Sequence, residues 1–283
     1  MRMRILAAAL LIVAGCQSSP PAPAVSSAPE PTPKPGDTKF SMTWNGKERT
    51  YHVHAPANYD GSKSLPVVVV MHFYPGTGPE VAVTSAMSAK ADKENFLVVY
   101  PDGFAAGMNA LVCCGSEDDV GFIKSIVGKM VKDWKADPKK VYATGISNGA
   151  DMSYRLAVET DLFAAIAPVS GAYSGQLTTD AAYMPKRPVS VIQFAGGLDR
   201  FYARINAGLE TWQTRLKCMP AGQTTITGDV TRTVHKCGDG SEVVVYRVPK
   251  MGHSWPGAKS GGLSDPNAGI DATDLMWEFF KAH

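Results

Sequence analysis

Gly145-Ile146-Ser147-Asn148-Gly149 reads G-x-S-x-G, with an aspartate, Asp199, well downstream and a histidine, His253, further still. Those three residue types, in that order, can carry out acyl transfer. A serine hydroxyl is a weak nucleophile at neutral pH and needs a base within hydrogen-bond reach, itself oriented by an acid. The two glycines leave room for the sharp turn that lifts a serine oxygen above a sheet. In a chain with 27 glycines the pentapeptide alone says little. Its place, after a strand-like run and before a helix-like one, says more. The other histidines suit the role of base less well: His52 and His54 lie in an N-terminal hairpin pattern, His235 lies between two cysteines, and His283 ends the sequence. Asp271 and Asp274 come after His253, where capping of a last helix explains them.

Around these residues the chain alternates between two kinds of segment. Short unbroken apolar runs (residues 66–72, 96–101, 140–145, 163–171, 189–197 and 242–248) suit strands buried on both faces. Between several of them lie amphipathic stretches. The clearest has Ile123, Ile126, Val127, Met130, Val131 and Trp134 on one helical face. Strand and helix in alternation predict an α/β fold with a mostly parallel central sheet, helices on both faces, and ligands at the carboxyl ends of the strands. An antiparallel hairpin turning at Asn45-Gly46 should precede it. Ser147, Asp199 and His253 each follow a predicted strand, so all three should meet at that edge. Acyl transfer also needs N–H donors aimed at the developing oxyanion. Asn148 should supply one through its backbone, and Phe73 or Tyr74, in the loop after the first central strand, the other.

The segments FLVVYPDG, NALVCCG, DDVGF, VYATGISNGADMSYRLA, FAAIAPVSG and GHSWPG occur in that order from residue 96 onward. Together they resemble the polyhydroxybutyrate depolymerase and feruloyl esterase family of secreted serine esterases. The resemblance covers nearly everything from about Phe40. It implies an α/β-hydrolase fold and a cofactor-free carboxylic-ester hydrolase in which Ser147 is nucleophile, Asp199 orienting acid and His253 general base. The sequence departs from the family in three places. His72-Phe73 stands where His-Gly is usual, Met108 where Trp is frequent, and Ala195-Gly196-Gly197 where His-Gly-Thr is frequent. The first bears on the second oxyanion donor and the others on the shape of the acyl pocket. Trp255, Met108, Phe201 and Tyr202, with Phe73 and Tyr74, are candidates to line the substrate cleft. Their apolar and aromatic character favours short acyl or phenolic groups. The resemblance also pairs Cys218 with Cys237, while adjacent Cys113 and Cys114 form either a vicinal disulfide or buried thiols.

The ends of the sequence speak to location. Residues 1–16 combine Arg2 and Arg4, a short apolar run and Val13-Ala14-Gly15-Cys16. This pattern predicts a lipoprotein export signal with Cys16 acylated. Residues 17–39 are rich in Pro, Ser and Ala and read as an extended tether, and residues 40–283 as one catalytic domain. The expected partners are a small ester and, through the anchor only, a membrane of the bacterial envelope, with the protein a monomer. With 28 basic and 26 acidic residues, and no basic stripe, nothing predicts nucleic-acid binding, and no His/Cys spacing predicts a metal site. Two other readings share these residues: a prolyl-oligopeptidase-type peptidase, and a binding lipoprotein on a hydrolase fold that no longer catalyses.

Overall fold

The computed structural model describes residues 32–283. Cys16, the export signal and most of the tether lie outside the described residues. The strands are β1 (Gly36–Trp44), β2 (Lys47–Ala55), β3 (Leu65–Met71), β4 (Leu97–Pro101), β5 (Ala136–Ile146), β6 (Ala165–Val169), β7 (Ser190–Gly196), β8 (Met219–Thr227), β9 (Val230–Lys236), β10 (Glu242–Val248), β11 (Trp255–Pro256) and β12 (Ser264–Asp265). The helices are α1 (Gly78–Ser85), α2 (Met87–Glu94), α3 (Asp119–Asp133), α4 (Asn148–Glu159), α5 (Tyr202–Arg215) and α6 (Ala272–Lys281).

Ten strands form one sheet in the order β1-β2-β4-β3-β5-β6-β7-β10-β9-β8. The run from β4 to β10 is parallel, and the strands outside it pair antiparallel. This is the expected α/β-hydrolase arrangement. Burial on both faces explains the unbroken apolar runs. Val67, Val69 and Met71 of β3 join one core, which contains α3 residues, while Val68 and Val70 join the other, which contains α6 residues. The predicted hairpin turns at Asn45 and Gly46, both at positive φ as a tight two-residue turn requires.

Two boundaries differ from the sequence reading. β1 begins at Gly36, so the folded part starts four residues before Phe40, because Gly36 to Lys39 pair with His52 to Ala55. The segment between Cys218 and Cys237, absent from the predicted strands, is the β8–β9 hairpin. All nine residues of β8 are exposed, so no apolar alternation marks them as a strand.

Candidate active site

β5 runs straight into α4, and Ser147 occupies the corner with φ 59° and ψ −117°. A non-glycine residue rarely holds such a conformation, and its cost is met by the packing around the turn. The flanking glycines are steric necessities. A Cβ on Gly145 would lie 2.6 Å from the Met71 carbonyl oxygen, and one on Gly149 would run into the same carbonyl. The turn therefore presses against the end of β3, next to the loop that carries Phe73 and Tyr74.

Asp199 and His253 are joined directly. Asp199 Oδ2 accepts from His253 Nδ1 at 2.8 Å, and Asp199 Oδ1 accepts from the Phe201 N–H at 2.8 Å. Because Nδ1 donates to a carboxylate, the neutral imidazole carries its lone pair on Nε2. Burial pushes the Asp199 carboxyl upward, but the hydrogen bonds from His253 and Phe201 outweigh it and leave the group below its ordinary range. The acid and base loops are zipped together, with Gly197 N–H donating to Val248 O and Leu198 N–H to Met251 O, each at 2.9 Å. A side chain at Gly196 or Gly197 would collide with the carbonyls of Met251 and Pro249, which accounts for the paired glycines before the acid.

The end of β6 ties the serine to the histidine. Ser147 N–H donates to Val169 O at 3.0 Å, and the next residue, Ser170, donates from its hydroxyl to Ser254 O at 3.3 Å. Neither the Ser147 hydroxyl nor His253 Nε2 has a hydrogen-bond partner among the described residues. The structure thus joins acid to base and brings the serine turn to the same edge, without a closed serine–histidine bond. Such bonds often tighten only once substrate is bound.

The backbone groups expected to serve as oxyanion donors are free. Among the described residues, the backbone N–H groups of Asn148, Phe73 and Tyr74 have no protein acceptor. The loop carrying the last two is pinned by His72, a residue sequence reasoning passed over. His72 is fully buried, its Nε2 accepts from the Gly103 N–H at 2.8 Å, and Nδ1 therefore donates to Phe73 O at 2.6 Å. Burial lowers its pKa, in keeping with a neutral ring. The side chain of Asn148 was also missed. Its Oδ1 accepts from Met108 N–H at 2.9 Å, and its Nδ2 donates to Met108 O at 3.0 Å and Cys113 O at 2.9 Å. It latches the loop bearing a Cys113–Cys114 disulfide onto the nucleophile turn. Cys218 and Cys237 are also bonded, closing the β8–β9 hairpin.

The proposed cleft residues divide. Trp255 and Met108 are each 1 % exposed. Trp255 packs in the α6-side core with its indole N–H on Thr273 Oγ1, and Met108 packs in the opposite core. A lining role for these two is corrected by their burial. Phe201 and Tyr202 are half-buried at the start of α5, and the Phe201 ring meets the His253 ring edge-to-face at 5.3 Å. Tyr74 is 52 % and Leu198 71 % exposed, and with Phe104, Val112 and Leu177 they put large apolar side chains on the loops after β3, β4, β6 and β7. The edge of the sheet that carries Ser147 and His253 therefore has large apolar side chains exposed on its loops.

No family model matches the sequence. Curated relatives do: feruloyl esterase B of Piromyces equi is 28% identical over 162 residues, 56% of this chain and 30% of that one. Acetylxylan esterase A of Aspergillus ficuum is 29% identical over 136 residues, 46% of this chain and 44% of that one. The chain spans less than half the length of these relatives. Among solved structures, an acetyl xylan esterase from Aspergillus awamori superposes with a TM-score of 0.63 at 18% identity, over 86% of this chain and 99% of that one. In sequence the chain is similar to feruloyl and acetylxylan esterases over about half its length, and its fold is that of the α/β hydrolases.

Proposed function

We propose that the protein is a serine carboxylic-ester hydrolase working through Ser147, His253 and Asp199. The observation that carries the reading is the pairing of a serine on a strained strand-to-helix turn with an Asp199–His253 hydrogen bond at the same edge of the sheet. His253 Nε2 takes the Ser147 proton as Oγ attacks the ester carbonyl carbon. The resulting oxyanion is met by the Asn148 N–H and by the N–H of Phe73 or Tyr74. His253 then returns the proton to the leaving alkoxide, the carbon–oxygen bond breaks, and an acyl-serine remains. Water, deprotonated by the same histidine, releases the acid. Asp199 stays ionised throughout and holds the ring.

The names of the relatives support phenolic (feruloyl-type) and short acyl esters as substrates, the apolar side chains exposed at this edge suit both, and short-chain hydroxyalkanoate esters belong to the same reading. The Cys218–Cys237 bond supports export to an oxidising compartment, where such bonds persist. Acylation of Cys16 belongs to the same reading and rests on the residues before it. A panel of p-nitrophenyl acetate, p-nitrophenyl butyrate, methyl ferulate and hydroxybutyrate oligomers tests the reading. Turnover of at least one ester, lost in Ser147→Ala, is expected. No ester turnover by correctly folded wild-type protein would overturn it.

A further inference from the structure

We propose that Arg200 recognises a free carboxylate on the alcohol portion of the ester, which makes hydroxy acids acylated on their hydroxyl group the preferred substrate class. The inference rests on the serine-esterase reading above.

Two arginines cap one ring beside the catalytic histidine. The guanidinium carbons of Arg200 and Arg204 lie 4.7 and 5.1 Å from the centre of the Phe201 ring, and that ring touches His253. Their circumstances differ. Arg204 is committed: it donates to Asp151 Oδ2 at 3.1 Å and to Ser174 Oγ at 3.3 Å, and Asp151 is buried beneath the nucleophile turn. Arg200 is exposed and makes no hydrogen bond or ion pair among the described residues. Its neighbour Asp199 gives its carboxylate to His253 and to the Phe201 N–H, so it does not neutralise Arg200. One uncompensated guanidinium, with all its donors free, is thus held against an aromatic ring in contact with the general base.

The chemistry decides which part of a substrate it meets. His253 protonates the departing alkoxide, so the alcohol portion lies on the histidine side and the acyl portion beyond Ser147. In a 3-hydroxyalkanoate ester the carboxylate is three bonds from the ester oxygen, a short reach from the imidazole. Large apolar side chains are exposed on the neighbouring loops, so a single anionic group flanked by short alkyl groups matches what the surroundings of Arg200 offer. Guanidinium favours carboxylate through a planar, two-bond fork.

The test compares 3-acetoxybutanoate with its near-isosteric amide, 3-acetoxybutanamide, by acetate release, beside p-nitrophenyl acetate as a substrate without a carboxylate. The wild type should prefer the carboxylate by about fivefold or more in kcat/KM, mostly through KM, and the preference should shrink in 0.5 M salt. Arg200→Ala should erase the preference and Arg200→Glu invert it, while both variants still hydrolyse p-nitrophenyl acetate. A wild type that treats acid and amide alike, or variants that keep the preference, would overturn the assignment while leaving the esterase reading intact. Absence of p-nitrophenyl acetate turnover in the wild type would remove both.

Discussion

The sheet edge carries two aspartate–histidine pairs, and only one of them leaves the far ring nitrogen open, as the proposed mechanism requires. Asp199 follows β7 and Asp102 follows β4, so both stand just past parallel strands. Asp199 holds Nδ1 of His253 and leaves Nε2 open. Asp102 instead faces Nε2 of His52 at 3.3 Å and also accepts from Thr50 Oγ1 at 2.6 Å and Gly78 N–H at 2.7 Å. Burial pushes the Asp102 carboxyl up, but these hydrogen bonds prevail and bring it down to about 2. Its ligands come from β2 and the start of α1, so it staples secondary structure. An acid–histidine pair marks an active site only when the free ring nitrogen faces a nucleophile held on a turn such as that of Ser147.

The largest difference should appear on removing the bases. His253→Ala should lower kcat by about four orders of magnitude or more, as should Ser147→Ala, with melting temperatures within about 2 °C of wild type. His52→Ala should leave kcat within about threefold. Equal losses in the two histidine variants would break the comparison. The acids separate next. Asp199→Asn should cost at least about a hundredfold in kcat, whereas Asp102→Asn should chiefly cost stability, about 1–3 kcal/mol in urea titration, by unsettling three hydrogen bonds.

Much of this was legible in the sequence, for reasons that are local. Strands buried on both faces announce themselves as apolar runs, and a nucleophile turn is bracketed by the glycines its crowding demands. What escaped is what depends on partners far along the chain. The Asn148 side chain matters because Met108 and Cys113 arrive beside it, and His72 matters because Gly103 does. Trp255 was misjudged for the same reason: an aromatic residue two positions after His253 could face the cleft or the core, and Thr273 decides it. β8 escaped because both of its faces are exposed.

The missed latch gives a smaller test. Asn148→Ala keeps the backbone N–H but frees the 108–114 loop, so kcat should fall by about tenfold and stability by about 1–3 kcal/mol. Unchanged kinetics would show that the loop is held without it. Away from the catalytic edge, reducing the Cys218–Cys237 bond, which spans 19 positions, should cost about 3 kcal/mol in the chain-entropy picture while esterase kcat is retained.

The smallest effect expected is in acid. Asp102 and Asp199 both sit below their ordinary range when folded, so they contribute stability above about pH 4. That contribution is lost as pH falls through their folded values, toward pH 2 for Asp102. Asp151, raised by burial to about 6, works in the opposite sense, and its contribution is lost as pH climbs from about 4 to 6. Asp102→Asn should therefore flatten the fall in melting temperature between pH 4 and pH 2. An unchanged slope would remove Asp102 from the account of acid stability.

The central claim is that Ser147 is a nucleophile activated by His253. Labelling with a fluorophosphonate, followed by peptide mass spectrometry, tests it most directly. The account predicts a single adduct on the peptide containing Ser147, absent in Ser147→Ala and slowed at least about a hundredfold in His253→Ala. An adduct on a different residue, or labelling of Ser147 at an unchanged rate without His253, would contradict it.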